Sequence, residues 1–223
     1  SIDNKVVHGV VWPGWAAFPD FTNPVARQWW GSQYQFYIDA GISGFWHDMN
    51  EPVSFCAWGD DTLPITTKHN LDGQNGNHLE AHNVYGFLMN KAAYETLQQI
   101  NPDKRNWIIS RSGWAGLQRY AWNWTGDVES TWEALRQTLI TLIGLSLSGH
   151  YFSGSDIGGF SGNPSAELYL RWFQLSAFFP FFRTHSAIGT DRRDIMLADP
   201  IGRLEGQSGR IAARVTGPVS LGE

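Results

Sequence analysis

Two aspartates have the surroundings of reactive groups: Asp48, in Trp46-His-Asp-Met-Asn-Glu-Pro52, and Asp127, in Trp124-Thr-Gly-Asp127. Each follows a short apolar stretch, so each reads as a polar residue just past the end of a strand. Glycosidic bond cleavage needs such a pair, one carboxylate to attack or stabilise the anomeric carbon and one carboxylic acid to protonate the leaving oxygen. Spacing alone argues weakly, because a strand-end Asp in an α/β protein is more often a cap or a structural ion pair. Arg111 and Asp156 close two further apolar stretches, Trp107-Ile-Ile-Ser-Arg111 and His150-Tyr-Phe-Ser-Gly-Ser-Asp156. Glu51 is a third carboxylate beside Asp48 and reads as structural support. His78-Leu-Glu-Ala-His82 places two histidines one helical turn apart, yet the Glu lies between them, unlike the zinc-protease order. Polar contacts at a helix start are the expected role there, and no metal or organic cofactor is expected. Asn123-Trp-Thr125 matches the glycosylation pattern, but a glycan beside Asp127 would obstruct any pocket, so the match reads as accidental.

The chain that must position these groups has 223 residues, 42% of them hydrophobic and 17% charged, enough to bury one sizeable core. Its formal charge of -5 and scattered basic residues argue against a nucleic-acid partner or an anionic membrane surface. No apolar run is long enough to span a bilayer. Cys56 is the single cysteine, which excludes an intrachain disulfide. With no signal-peptide pattern at the start, that favours a cytoplasmic location. Aromatic residues make up 14%, with 12 Trp; Trp12, Trp58 and Trp124 adjoin Pro, Gly or Asn, and Trp46 lies two residues before Asp48. Flat faces beside polar groups suit sugar rings, although core packing explains any one Trp about as well.

Four strand-like stretches end near 48, 111, 127 and 156, with helix-like segments between them. Asn23-Pro24 opens a helix that Gly41 stops, and Asn83 to Ile100 reads as a second. Ser130-Thr-Trp-Glu133 has capping-box spacing before the periodic Leu135, Leu139, Leu142 and Ile143. Asn163-Pro-Ser opens a last helix running toward Pro180. Strand alternating with helix implies a parallel sheet with crossovers, whose chemistry gathers at the strand carboxyl ends. The stretch from Cys56 to about Leu79 reads as a long surface loop over that face.

The ordered motifs resemble the glycoside hydrolase family 31 α-glucosidases. They are Trp12-Pro-Gly14 with Phe18-Pro-Asp20, Gly44-Phe-Trp-His-Asp-Met-Asn-Glu-Pro52, His82-Asn-Val-Tyr-Gly86, Ser110-Arg-Ser112, Trp124-Thr-Gly-Asp127, Gly154-Ser-Asp-Ile-Gly-Gly-Phe160, and Arg171-Trp-Phe-Gln174 with Phe181-Phe-Arg-Thr-His185. The resemblance covers roughly residues 8 to 193. It implies a (β/α)8 barrel fold, with Asp48 as nucleophile and Asp127 as general acid and then base in a retaining, exo-acting hydrolysis of terminal α-glucose. It further implies that Trp46, Met49, Arg111, Trp124, Phe160 and His185 surround the sugar, with Trp12 and Asp156 as neighbours. The Asp-Met-Asn-Glu-Pro form implies glucose rather than xylose as the glycon.

A whole barrel takes about 250 residues and eight strands, and four are legible here. The reading is therefore a partial (β/α)8 barrel over 1–193, lacking the first strands and the last, followed by a tail of unassigned structure over 194–223. The family's Glu-Pro is expected after Arg193, where this chain has Asp194-Ile-Met. An α-glucoside oligosaccharide is the expected partner, together with another chain or a missing segment that completes the barrel. An open barrel would expose strand edges and apolar surface and so self-associate. The alternatives are a sugar-binding fragment without turnover, a transglycosylase or α-glucan lyase using the same pocket, and a partial gene product with no function of its own.

Overall fold

A computed structural model describes residues 5–56 and 61–191; Trp58 and the expected tail over 194–223 lie outside the described residues. The chain divides into two compact units, residues 1–123 and 124–223.

In the first unit, β1 (His8–Val11) and β2 (Gly14–Ala17) form an antiparallel hairpin that the sequence reading missed. Its turn is Trp12-Pro13, and Gly14 takes φ 110°, a conformation that side chains disfavour. Asn23 caps α1 (Pro24–Ser32) by accepting from the Val25 N–H. The single helix expected up to Gly41 is instead two, with α2 spanning Tyr34–Asp39. The break has a local cause: Ser32 Oγ and Gln33 Nε2 both donate to the Trp29 carbonyl, and the Gln33 N–H turns to Trp30 O at 3.1 Å.

The edge strand β3 (Gly44–His47) follows, then a two-residue ladder of β4 (Lys68–His69) with β5 (Gly76–Asn77) inside the expected structureless loop. Next, α3 (His78–Ile100) begins five residues before the expected Asn83, because Asn77 and Glu80 form a complete capping box. β6 (Trp107–Ser110) lies parallel to β3, with Trp46 opposite Ile109 and His47 opposite Ser110. β7 (Trp122–Trp124) lies parallel to β6, with Ser110 opposite Asn123, and the unit boundary falls inside it. Tyr34, Ala93, Leu97, Ile108, Leu117 and Ala121 form the core between strands and helices. Burial of each large apolar side chain there contributes roughly 1.5–3 kcal/mol. Gly31 lets α1 approach α3, since a Cβ there would collide with Thr96.

In the second unit the Thr125 N–H, just past β7, donates to Gly154 O on β8 (Ser153–Asp156). β9 (Phe181–Arg183), a fifth parallel strand that the sequence reading did not find, pairs with β8 and sets Asp156 opposite Arg183. Gly154 is required because a Cβ would strike the Phe181 backbone. Between the strands run α4 (Trp132–Leu147) and α5 (Ala166–Ser176). The cap of α4 is Thr131 rather than the expected Ser130, because Thr131 Oγ1 accepts from Ala134 N. Glu133 is consequently not a capping partner and instead binds Arg136 and Gln137. Of the periodic α4 residues, Leu142 is buried while Leu139 and Ile143 are exposed. Ile157, Leu168, Tyr169, Trp172 and Phe173 form the second core.

Parallel strands joined by helices, five among the described residues, make this part of a (β/α)8 barrel.

Candidate active site

Asp48 is the first residue beyond β3, where Met49 turns the chain with φ 59° and donates its N–H to Asp48 Oδ1 at 2.9 Å. Arg111 holds the equivalent place beyond β6, and its own N–H donates to His47 O at 3.0 Å. These two strand ends bring Arg111 Nη1 to 3.2 Å from Asp48 Oδ1. Glu51 takes the rest of the guanidinium, with Nε at 2.9 Å and Nη2 at 3.1 Å. One cation therefore serves two carboxylates, with a bidentate bond to Glu51 and an ion pair to Asp48. The Asp48 side chain is 36% exposed, so it is open to a ligand. Trp46 and Asp48 line a cleft of about 450 Å³ beside β3, together with Trp29, Trp30, Tyr37 and Met89, which the sequence reading did not single out. Trp12, in the hairpin turn, is 81% exposed and meets Phe55 edge-on at 5.0 Å.

The second unit holds another cluster. Asp156 is fully buried, and its Oδ1 accepts from Arg183 Nε at 3.0 Å and Nη2 at 2.6 Å. Asp156 Oδ2 is buried without a hydrogen-bond partner, so a ligand hydroxyl reaching it would find an open acceptor. Burial pushes the Asp156 carboxyl up, against the pull of Arg183 and His185, and Asp127 adds a smaller upward push. Arg183 also lies over the Trp124 ring at 5.2 Å. Sequence reasoning passed over Arg183, although a cation two residues before His185 was a usable signal. Phe160 and His185 stack at 5.3 Å with a 30° tilt. Asp127 is exposed, just past Gly126 at φ 75°.

Two motifs find other employment. The Asn123 amide donates to Ser110 O and Arg111 O, tying β7 to the end of β6. His78 and His82 bond to each other at 3.1 Å, and His78 bonds to His69 at 3.1 Å, which gives them the polar role of a helix start.

Comparison with known proteins identifies the family. The sequence profile described as "Glycosyl hydrolases family 31 TIM-barrel domain" matches residues 1–209. Alpha-glucosidase 2 of Bacillus thermoamyloliquefaciens is 47% identical over 193 residues, covering 86% of this chain and 24% of that protein. Neutral alpha-glucosidase C of Mus musculus is 43% identical over 192 residues, covering 83% of this chain and 21% of that one. Among solved structures, the glucosidase II alpha subunit superposes with TM-score 0.83 at 32% identity over 94% of this chain and 23% of that one. The family 31 alpha-glucosidase of Bacteroides thetaiotaomicron gives 0.80 at 38% identity over 96% and 33%. The chain thus spans about a quarter of the length of the curated relatives it matches. A partial parallel barrel, carboxylates at its strand ends and this extent of likeness together place the chain in glycosyl hydrolase family 31, within its TIM-barrel domain.

Proposed function

We propose that the chain carries the reacting groups of a retaining, exo-acting α-glucosidase. The observation that carries this reading is Asp48 at a strand end, ion-paired to Arg111 yet solvent-accessible, in a chain whose relatives are named alpha-glucosidases. Asp48 Oδ attacks the anomeric carbon, forming a carbon–oxygen ester bond as the glycosidic bond breaks. Asp127 gives its proton to the departing oxygen. Water then attacks the same carbon, Asp127 takes the proton back and Asp48 is released, so two inversions give net retention. Arg111 favours the ionised form of Asp48 that the first step needs and the last step regenerates. Met49, Trp46, Trp12, Trp124, Phe160 and His185 would form the walls and hydrogen-bonding groups around the glucose, with Asp156 offering its open oxygen.

The proposed boundary puts the barrel portion at 1–193 and an appended segment at 194–223. An α-glucoside oligosaccharide is the proposed substrate, and a further polypeptide segment or chain the proposed completion of the barrel. The test is release of 4-nitrophenol from its α-glucoside by the purified chain, with Asp48→Asn alongside as control for contaminating enzyme. Release that survives in Asp48→Asn refutes the assignment of the nucleophile. A folded chain that binds maltose without turnover replaces hydrolysis by sugar binding.

A further inference from the structure

Behind Asp48 lies a buried polar chain that crosses five elements and whose hydrogen positions follow from the backbone carbonyl at its far end. At one end the Trp30 indole N–H, which only donates, gives its hydrogen to Tyr34 Oη at 2.9 Å. The Tyr34 hydroxyl keeps its own hydrogen to donate, and His47 Nε2 lies 2.7 Å from it. An accepting Nε2 leaves the ring proton on Nδ1, which donates to Asn90 Oδ1 at 2.8 Å. At the other end the Asn90 Nδ2 donates to Gly86 O at 2.7 Å, and a carbonyl only accepts, which turns Asn90 Oδ1 toward His47 Nδ1 and puts the ring proton there. The second Nδ2 hydrogen goes to Ser110 Oγ at 2.8 Å. Ser110 Oγ also accepts from Asn50 Nδ2 at 2.8 Å and donates to Ser112 O at 2.7 Å, while Ser112 N–H returns to Asn50 Oδ1 at 3.1 Å.

This chain brackets the reactive pair. Asp48 lies between His47 and Asn50, and Arg111 lies between Ser110 and Ser112, so all four flanking residues belong to one bonded network. Asn90 and Ser110 are fully buried and His47 is 5% exposed, so no water stands ready to replace a lost partner. Burial holds the His47 ring below its usual pKa, in keeping with a neutral imidazole. The helix presses close against the turn: a Cβ on Gly86 would lie 2.7 Å from Asn50 O and 2.8 Å from Ser112 Oγ.

We propose that Asn90, which no hydrogen bond joins to Asp48 or Arg111 among those described, is a positioning residue for the Asp48–Arg111 pair. It acts through His47 on one side of Asp48 and through Ser110 and Asn50 on the other. The catalytic part of this inference rests on Asp48 being the nucleophile; the structural part does not.

The test uses the whole chain, ¹⁵N-labelled. In the unmodified protein the His47 ring shows a neutral imidazole protonated at Nδ1 at pH 7.5; an Nε2–H tautomer or an imidazolium there overturns the proposal without any variant. Asn90→Ala then lowers kcat on 4-nitrophenyl α-glucoside roughly 10- to 100-fold with KM within about twofold, and it broadens or shifts the Arg111 guanidinium signals. If Asn90→Ala does not fold, Asn50→Ala, in the turn after β3, gives the same two readouts. A folded variant that loses thermal stability while kcat and the Arg111 signals stay as in the parent shows a merely structural role and overturns the proposal. A parent chain without turnover refutes the hydrolase reading instead, and the Arg111 signals still decide whether Asn90 positions the pair.

Discussion

Lowering the pH from 7 to 4 will destabilise the first unit through a line of histidines. His69 Nδ1 donates to Asp20 Oδ1 at 2.9 Å, which makes His69 Nε2 the acceptor for His78 Nδ1–H at 3.1 Å. His78 Nε2 in turn accepts from His82 Nδ1–H at 3.1 Å. A proton added to His78 would set N–H against N–H unless His82 gave up its own. The groups facing His78 are His69 from β4, His82 from α3 and the Thr62 hydroxyl, 3.3 Å from His78 Nε2, with Asp20 behind His69 and Tyr85 edge-on to it at 6.4 Å. Burial, reinforced by the charges of His69 and His82, lowers the His78 pKa from 6.5 to about 4. The unfolded chain then binds this proton near pH 6.5 and the folded chain only near 4, so stability is complete above 6.5 and falls between those values. Allowing for solvent screening, the loss is on the order of 2 kcal/mol, still a sizeable share of the roughly 5–15 kcal/mol that holds a domain together. Asp20 continues the decline: burial raises its carboxyl, but bonds from His69, Thr22 and Asn70 outweigh that and hold it at about 2, so its contribution is lost as pH falls from 3.8 toward 2. Urea unfolding followed by Trp fluorescence at pH 7, 5.5 and 4.5 measures the slope. His78→Gln, which cannot titrate, should lose less than half as much stability over this range; buried His47 titrates in the same direction and accounts for the remainder. An unchanged slope in His78→Gln refutes the reasoning.

Four further outcomes are expected. Asp127→Asn should cut maltose hydrolysis far more than release of 4-nitrophenol, because a phenolate leaves with little protonation; equal losses would remove Asp127 from the acid role. Arg183→Met should cost about 3–5 kcal/mol in urea unfolding by leaving the fully buried Asp156 without its cation, whereas a loss under about 1 kcal/mol would mean that the pair is not held as described. Gly86→Ala should lower the melting temperature and weaken activity together, since its Cβ meets the Asn50 carbonyl at 2.7 Å. The edge strand β3, with Trp29, Phe36, Tyr37 and Trp46 exposed, should make the purified chain self-associate and bind apolar dyes; a monodisperse, dye-free monomer would contradict this.

Much of the architecture was legible because local rules decide it. Asn23 before Pro24 caps a helix whatever surrounds it, and an apolar run ending in Asp48, Arg111 or Asp156 can be read as a strand without knowing its neighbours. Misreadings arose where a competing partner lay nearby. Ser32 and Gln33 captured the Trp29 carbonyl and split one helix into two, and Thr131 took the cap expected of Ser130. The strand Phe181–Arg183 is only three residues, too short for a periodic signal, and becomes a strand because β8 offers it a parallel edge.

From residue types and motif order alone came the barrel class, the family, and the expectation of glucoside chemistry at two aspartates, Asp48 and Asp127. Only the tertiary structure decided which partner each charge keeps. Arg111 pairs with both Asp48 and Glu51, Arg183 bonds Asp156, and His78 bonds both His69 and His82. Sequence specifies which groups exist, but pairing depends on distances set by strand register and helix packing, and those arise between segments far apart in the chain.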